Sequence, residues 1–196
     1  MVISKSRLKQ LKCLLFYQKL IEFFILCFLK PFLVYTFRWN EIFKMILTHI
    51  LQPDCVKVPL SGKDKQAVIA ELVELLNTNK LLIDKDDVLQ SVMNRESTRS
   101  TGIGSGIAIP HGKCKGVKEL VMAIGVSRQG IDFQSIDDKP VYIVVLLASP
   151  TDKTGPHIQA LARISRLMLD ESFRNKLRNA PSAKDLYDLI SSKEAE

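Results

Sequence analysis

Three histidines, four cysteines and one glycine-rich stretch are the residues of this chain whose types and spacing could do chemistry. The stretch is Gly102-Ile-Gly-Ser-Gly-Ile-Ala-Ile-Pro110-His111-Gly112. It contains a G-x-G but lacks the third glycine of a dinucleotide fingerprint, and no Lys-Ser/Thr pair follows as in a P-loop. What it offers is a histidine between Pro110, which limits the backbone, and Gly112, which removes a side chain that could block the imidazole. His111-x-x-Cys114 with His157 lacks the fourth ligand and the spacing of a zinc site. No metal and no cofactor are expected, and Cys114 reads as a reduced thiol beside the site.

A histidine suits the passage of a phosphoryl group between proteins. With an ordinary pKa near 6.5, much of it is unprotonated at neutral pH, so a ring nitrogen can attack. The phosphoramidate formed is labile enough to pass the group on. Such a site needs cations and N–H donors for the phosphoryl oxygens. Arg95, 16 residues before His111, the glycine-rich backbone at Gly102, Gly104, Ser105 and Gly106, and a helix N-terminus could supply them. His157 follows Gly155-Pro156 at the start of a predicted helix. Spacing alone leaves the bland readings open: a loop histidine without a role, and a solvated Arg95. His49 lies in an apolar run and reads as packed or as surface.

The elements that must position these residues are legible in the pattern. Residues 45–52 form a short apolar run ended by Pro53, and Val56 to Leu60 alternates like a brief edge strand. Ser61 to Asp64 has capping-box spacing, and apolar residues recur at helical spacing over 63–77. Asp84 to Met93 reads as a shorter helix, and Ser97 to Gly106 as a loop. Leu120 to Val126 and Val141 to Ala148 read as strands, the second apolar throughout and hence covered on both faces. Helical spacing returns over His157 to Leu169, a short helix fits 171–180, and the last starts at a second capping box, Ser182 to Asp185. Helices among buried strands predict an α/β layered domain over 45–196.

At 196 residues, 46% hydrophobic and 25% charged, the chain can build a core and is not disordered overall. Its net charge of +7 does not indicate nucleic acid. Residues 1–44 carry eight Lys and Arg against two acids, whereas residues 45–196 carry 20 against 19. Ten of the 14 aromatic residues also precede residue 45. Glu22, Lys30 and Pro31 interrupt the best apolar window of this leader, and no small-residue cleavage site follows it. The leader reads as residues upstream of a protein that begins at Met45, as an amphipathic membrane-surface segment, or as an ordered extension of the fold. Membrane association is expected only if the leader is genuine.

The stretch Glu96 to Gly112, ESTRSTGIGSGIAIPHG, resembles the active-site signature of the fructose/mannitol-type IIA domains of the bacterial phosphoenolpyruvate:sugar phosphotransferase system. The likeness runs from Met45 to near the C-terminus. It implies a three-layer α/β fold with a central mixed sheet flanked by helices. It further implies that His111 is phosphorylated, with His157 (in Lys153-Thr-Gly-Pro-His157) and Arg95 (in Asn94-Arg95-Glu96) as active-site partners. Sugar-transport members commonly carry Glu where this chain has Ser105, and a carboxylate there, beside a phosphohistidine, would repel phosphate. Ser105 therefore resembles the nitrogen-regulatory branch. The resemblance implies a cytoplasmic phosphotransferase and phosphoprotein, charged by an HPr-like phosphocarrier and acting on unidentified regulatory targets. The alternative is a sugar-uptake component that passes phosphate to a IIB cysteine. An apolar rim of Ile103, Ile107 and Ile109 is expected to dock the carrier.

Overall fold

The computed structural model describes residues 45–196. The expectations for residues 1–44 lie outside the described residues. After a single 3-10 turn (Leu47–His49), strand β1 (Leu51–Lys57) leads to helices α1 (Lys65–Thr78) and α2 (Lys85–Thr98). A glycine hairpin follows, β2 (Gly102–Gly104) and β3 (Ile107–Ala108), and then β4 (His111–Cys114). The long strands β5 (Val121–Ile131) and β6 (Val141–Pro150) precede α3 (Thr154–Leu167), α4 (Glu171–Arg178) and α5 (Ala183–Ala195).

The six strands form one mixed sheet in the order β1-β5-β6-β3-β2, with β4 also on β6. β5 and β6 are antiparallel, whereas β1 on β5 and both β3 and β4 on β6 are parallel. β3 and β4 are one strand line broken at Ile109-Pro110. Both keep the same register on β6, Ile107 opposite Ile143 and His111 opposite Leu147. Proline has no N–H to give the ladder, but its carbonyl still accepts from Leu147 N–H at 3.0 Å.

The apolar run of β6 has the environment its sequence requires, buried at nearly every position from Val141 to Pro150. Helices α1 and α2 pack together, as do α4 and α5, and each pair also packs on the sheet. The helices make the outer layers of a three-layer α/β domain. Among the described residues, no helix is long and apolar enough to cross a membrane.

Several boundaries move. The strand expected over Val56 to Leu60 instead begins at Leu51, runs through Pro53 and ends at Lys57, because β1 is an edge strand whose pairing with β5 is irregular between Leu51 and Val56. The cap of α1 is Asp64, whose carboxylate accepts from Ala67 N–H, while Glu71 accepts from Ser61 and Gly62 N–H. α2 continues five residues beyond Met93, so Arg95 and Glu96 are helical. Asp84 caps its start by accepting from Asp86 and Asp87 N–H, and Ser182 caps α5 as expected.

Candidate active site

β4 and the C-terminal end of β6 bring the two histidines together. His111 opens β4, opposite Leu147. His157 lies in the first turn of α3, which follows β6 after three residues. Their ring centroids stand 5.6 Å apart, tilted by 58°. His157 is buried, 5% exposed, whereas His111 is partly open to solvent.

Each ring is fixed by one nitrogen. His111 Nδ1 lies 2.7 Å from the Ile109 carbonyl oxygen, which only accepts, so Nδ1 carries the proton and Nε2 has a free lone pair. His157 Nδ1 lies 2.7 Å from Ser149 Oγ, at the end of β6. Burial holds the pKa of His111 below its ordinary value, and the charge of Arg95 adds to this against the Ile109 carbonyl and Glu96. Burial, then His111, then Lys113 push His157 down to about 4. Both imidazoles are neutral at pH 7.

Arg95 occupies the last turn of α2 and donates from Nη1 to the Arg99 carbonyl at 2.8 Å. Gly112 is what lets α2 lie so close. A Cβ there would sit 2.6 Å from Ser91 Oγ and 3.0 Å from Val92 N. The missing side chain thus faces the helix rather than the imidazole, and it seats Arg95, one turn beyond Ser91, within electrostatic reach of His111. Glu96 is a buried anchor: it accepts from Thr101 N–H at 3.0 Å and pairs with Lys65 Nζ at 3.2 Å, tying α2 to the start of β2.

The glycine-rich backbone does not join the histidines. Gly104, Ser105 and Gly106 all have positive φ, forming the tight turn between β2 and β3. That turn lies beyond Ile107, which is opposite Ile143, while His111 is opposite Leu147, about 13 Å further along β6. Two of the expected donors are also engaged: Gly102 N–H with Ser100 Oγ and Ser105 N–H with Asp137 Oδ2. Of the residues expected to cradle the phosphate on His111, Gly104, Ser105 and Gly106 therefore stand at the far end of this strand line, whereas Gly102 lies opposite Ala108. A carboxylate at position 105 would not stand beside that histidine either. The expected docking rim changes too, since Ile107 and Ile109 are core residues at 1% and 4% exposure, and only Ile103 is exposed, at 44%.

Sequence reasoning missed Ser149 and Lys113. Lys113 is two residues from His111 on a strand, hence on the same face, and its Nζ reaches Thr154 Oγ1 at the start of α3 at 3.3 Å. Ser149 is the polar residue that ends the apolar run of β6. Cys114 is buried, and burial raises its thiol pKa. His49 is exposed in the 3-10 turn.

Comparison with known proteins identifies the family and the fold. Residues 49–193 match the family described as "Phosphoenolpyruvate-dependent sugar phosphotransferase system, EIIA 2". The chain is 36% identical over 146 residues to the PTS system fructose-specific EIIABC component of Bacillus subtilis (strain 168). That match covers 74% of this chain but 23% of the relative's length. It is 32% identical over 147 residues to the Nitrogen regulatory protein of Klebsiella oxytoca, covering 74% of this chain and 89% of that one. The crystal structure of Nitrogen Regulatory Protein IIA-Ntr from Neisseria meningitidis superposes with a TM-score of 0.69 at 28% identity, over 74% of this chain and 99% of that one. With three quarters of its length matched, this chain belongs to the EIIA 2 family of the phosphoenolpyruvate-dependent sugar phosphotransferase system.

Proposed function

We propose that the chain is a cytoplasmic phosphocarrier and regulator in which His111 Nε2 accepts a phosphoryl group from the phosphohistidine of an HPr-like protein. The observation that carries this reading is the hydrogen bond from His111 Nδ1–H to the Ile109 carbonyl at 2.7 Å. It leaves a neutral ring with its nucleophilic nitrogen free. In the transfer, the Nε2 lone pair forms the new P–N bond in line with the breaking P–N bond of the donor. The donor imidazole leaves with that electron pair.

The surroundings suit the charge that moves. Arg95 and Lys113 bring positive charge to the phosphoryl oxygens. His157 is neutral, and in this reading Ser149 Oγ–H donates to its Nδ1, 2.7 Å away, which puts the ring proton on Nε2 as a donor to the phosphoryl group. Phosphorylation adds about two negative charges at this one place, which changes the partners that bind. The regulatory role is favoured by the likeness to nitrogen regulatory proteins over nearly their full length.

A second reading, a sugar-uptake component handing phosphate to a IIB cysteine, is favoured by the 36% identity to the fructose-specific EIIABC component. Intact-mass analysis after incubation with phosphoenolpyruvate, the general first enzyme and each candidate carrier tests both. One acid-labile phosphoryl group on the wild type and none on His111→Ala is expected. Failure of every carrier to charge the folded protein would sink both readings. Onward transfer to a cognate IIB would select the second.

A further inference from the structure

At the opposite end of the sheet from the histidines, a cleft of about 400 Å³ opens between α4 and the β2–β3 turn. Its walls carry three cations, Lys139, Arg174 and Arg178. None of the three forms an ion pair among the described residues. The two arginines are instead held by neutral groups. The Arg178 guanidinium stacks 3.4 Å above the centre of the Tyr142 ring, and Arg174 Nη1 donates to the Met168 and Leu169 carbonyls at 2.7 and 3.0 Å. Their charge is therefore fixed in direction but not neutralised. Asp137, on the turn side, accepts from Ser105 and Lys139 N–H, and the Lys139 charge adds only the last of the influences that lower its pKa. Glu171 is the one carboxylate that lines the cleft.

We propose that this cleft binds a small phosphomonoester that also carries hydroxyl groups. Positioned guanidinium groups match phosphate oxygens in geometry as well as charge, and the free Lys139 ammonium can close on them. A phosphate alone would leave most of the volume empty, since the cleft has the size of an ordinary small-molecule site. Glu171 repels phosphate but accepts from a hydroxyl, so it selects an ester with hydroxyls over a bare or doubly phosphorylated ligand. Ser105 and Gly106 then serve this cleft rather than His111. The site shares no residue with the histidine pair, so it stands or falls apart from the proposed phosphotransfer.

Titration of the full chain with glycerol 3-phosphate and with inorganic phosphate, followed by ¹H–¹⁵N NMR at matched ionic strength, tests this. Glycerol 3-phosphate should give saturable shifts at the Gly106 and Tyr142 amides and the Arg178 Nε–H, and should bind more tightly than inorganic phosphate. Arg178→Gln and Lys139→Gln should each weaken it about tenfold or more, while both variants still charge at His111. Lys139 is exposed and its ammonium makes no hydrogen bond, so that variant keeps the fold. Equal affinity for the two probes, shifts reproduced by sodium chloride, shifts confined to His111 and Arg95, or unchanged affinity in Lys139→Gln would each overturn the proposal.

Discussion

His157 stands 5.6 Å from His111, ring centre to ring centre, with its Nδ1 held 2.7 Å from Ser149 Oγ, a residue with no exposure at all. The pair is thus an open imidazole backed by a buried one, and the buried one answers to the charge on its neighbour. Phosphorylation of His111 would put a dianion beside His157, where the free protein can offer only a neutral or a protonated ring. The pKa of His157, about 4 in the free protein, should then rise toward or beyond its ordinary value. Titration of its ring proton by NMR, with and without phosphate on His111, reads this directly. An unmoved His157 would place the phosphoryl group elsewhere.

The same depression makes stability depend on pH. The unfolded chain titrates His157 near 6.5 and the folded chain near 4, so between those values the unfolded state holds more protons. Stability should fall as pH drops through this window, by roughly 3 kcal/mol for this group, and its contribution should level off below about pH 4. Urea denaturation at pH 7 and at pH 4.5 should show a smaller difference for His157→Gln than for wild type.

The bond from His111 to Ile109 predicts the site of attachment. ³¹P–¹⁵N correlation on the charged protein should show phosphorus bonded to Nε2, with Nδ1 still protonated. Phosphorus on Nδ1 would mean that the ring turns over before reacting.

Gly112→Ala tests how Arg95 is seated. The added methyl meets Ser91 Oγ and the Val92 backbone, so α2 must move away from β4 at a cost of about 1–3 kcal/mol. Because Arg95 moves with the helix, the charging rate should fall by about tenfold or more. A thermal melt separates the two effects, since charging can be assayed well below the midpoint. A normal rate in a destabilised protein would remove Arg95 from the mechanism.

Glu194 joins the ends of the described chain. Its carboxylate, 4% exposed, accepts from Leu47 N–H at 2.8 Å, from Thr48 N–H at 2.9 Å and from Arg163 Nε at 3.4 Å. Glu194→Ala leaves these donors unpaired beside the half-buried Arg163, and should lower stability by about 1–3 kcal/mol without changing charging at low temperature. Denaturant midpoints and intact mass, measured side by side, check both halves.

Much of this was legible in the residues. The helices showed in their three-and-four spacing, and β6 in an apolar run that only a doubly covered strand tolerates. The pairing of His111 with His157 was legible only through the family signature, because 45 residues and a parallel strand pair lie between them. The glycine stretch misled for a physical reason. Flexible backbone near a histidine in sequence suggests a shared site, but an extended strand carries the turn away at about 3.3 Å per residue. Gly112 misled in the same way: in a strand its missing side chain points to the face opposite His111, and only the assembled fold shows that α2 covers that face. The strand expected from Val56 starts five residues earlier, across Pro53, because proline is tolerated where a strand has a free edge, a property of the assembled sheet.

The strand line through β3 and β4 keeps the β2–β3 turn at one end and the imidazoles at the other. A substitution at residue 105 is therefore separated from both imidazoles by the length of that strand line. What the turn touches can change while the contacts that hold the two rings, to Ile109 and to Ser149, stay as they are.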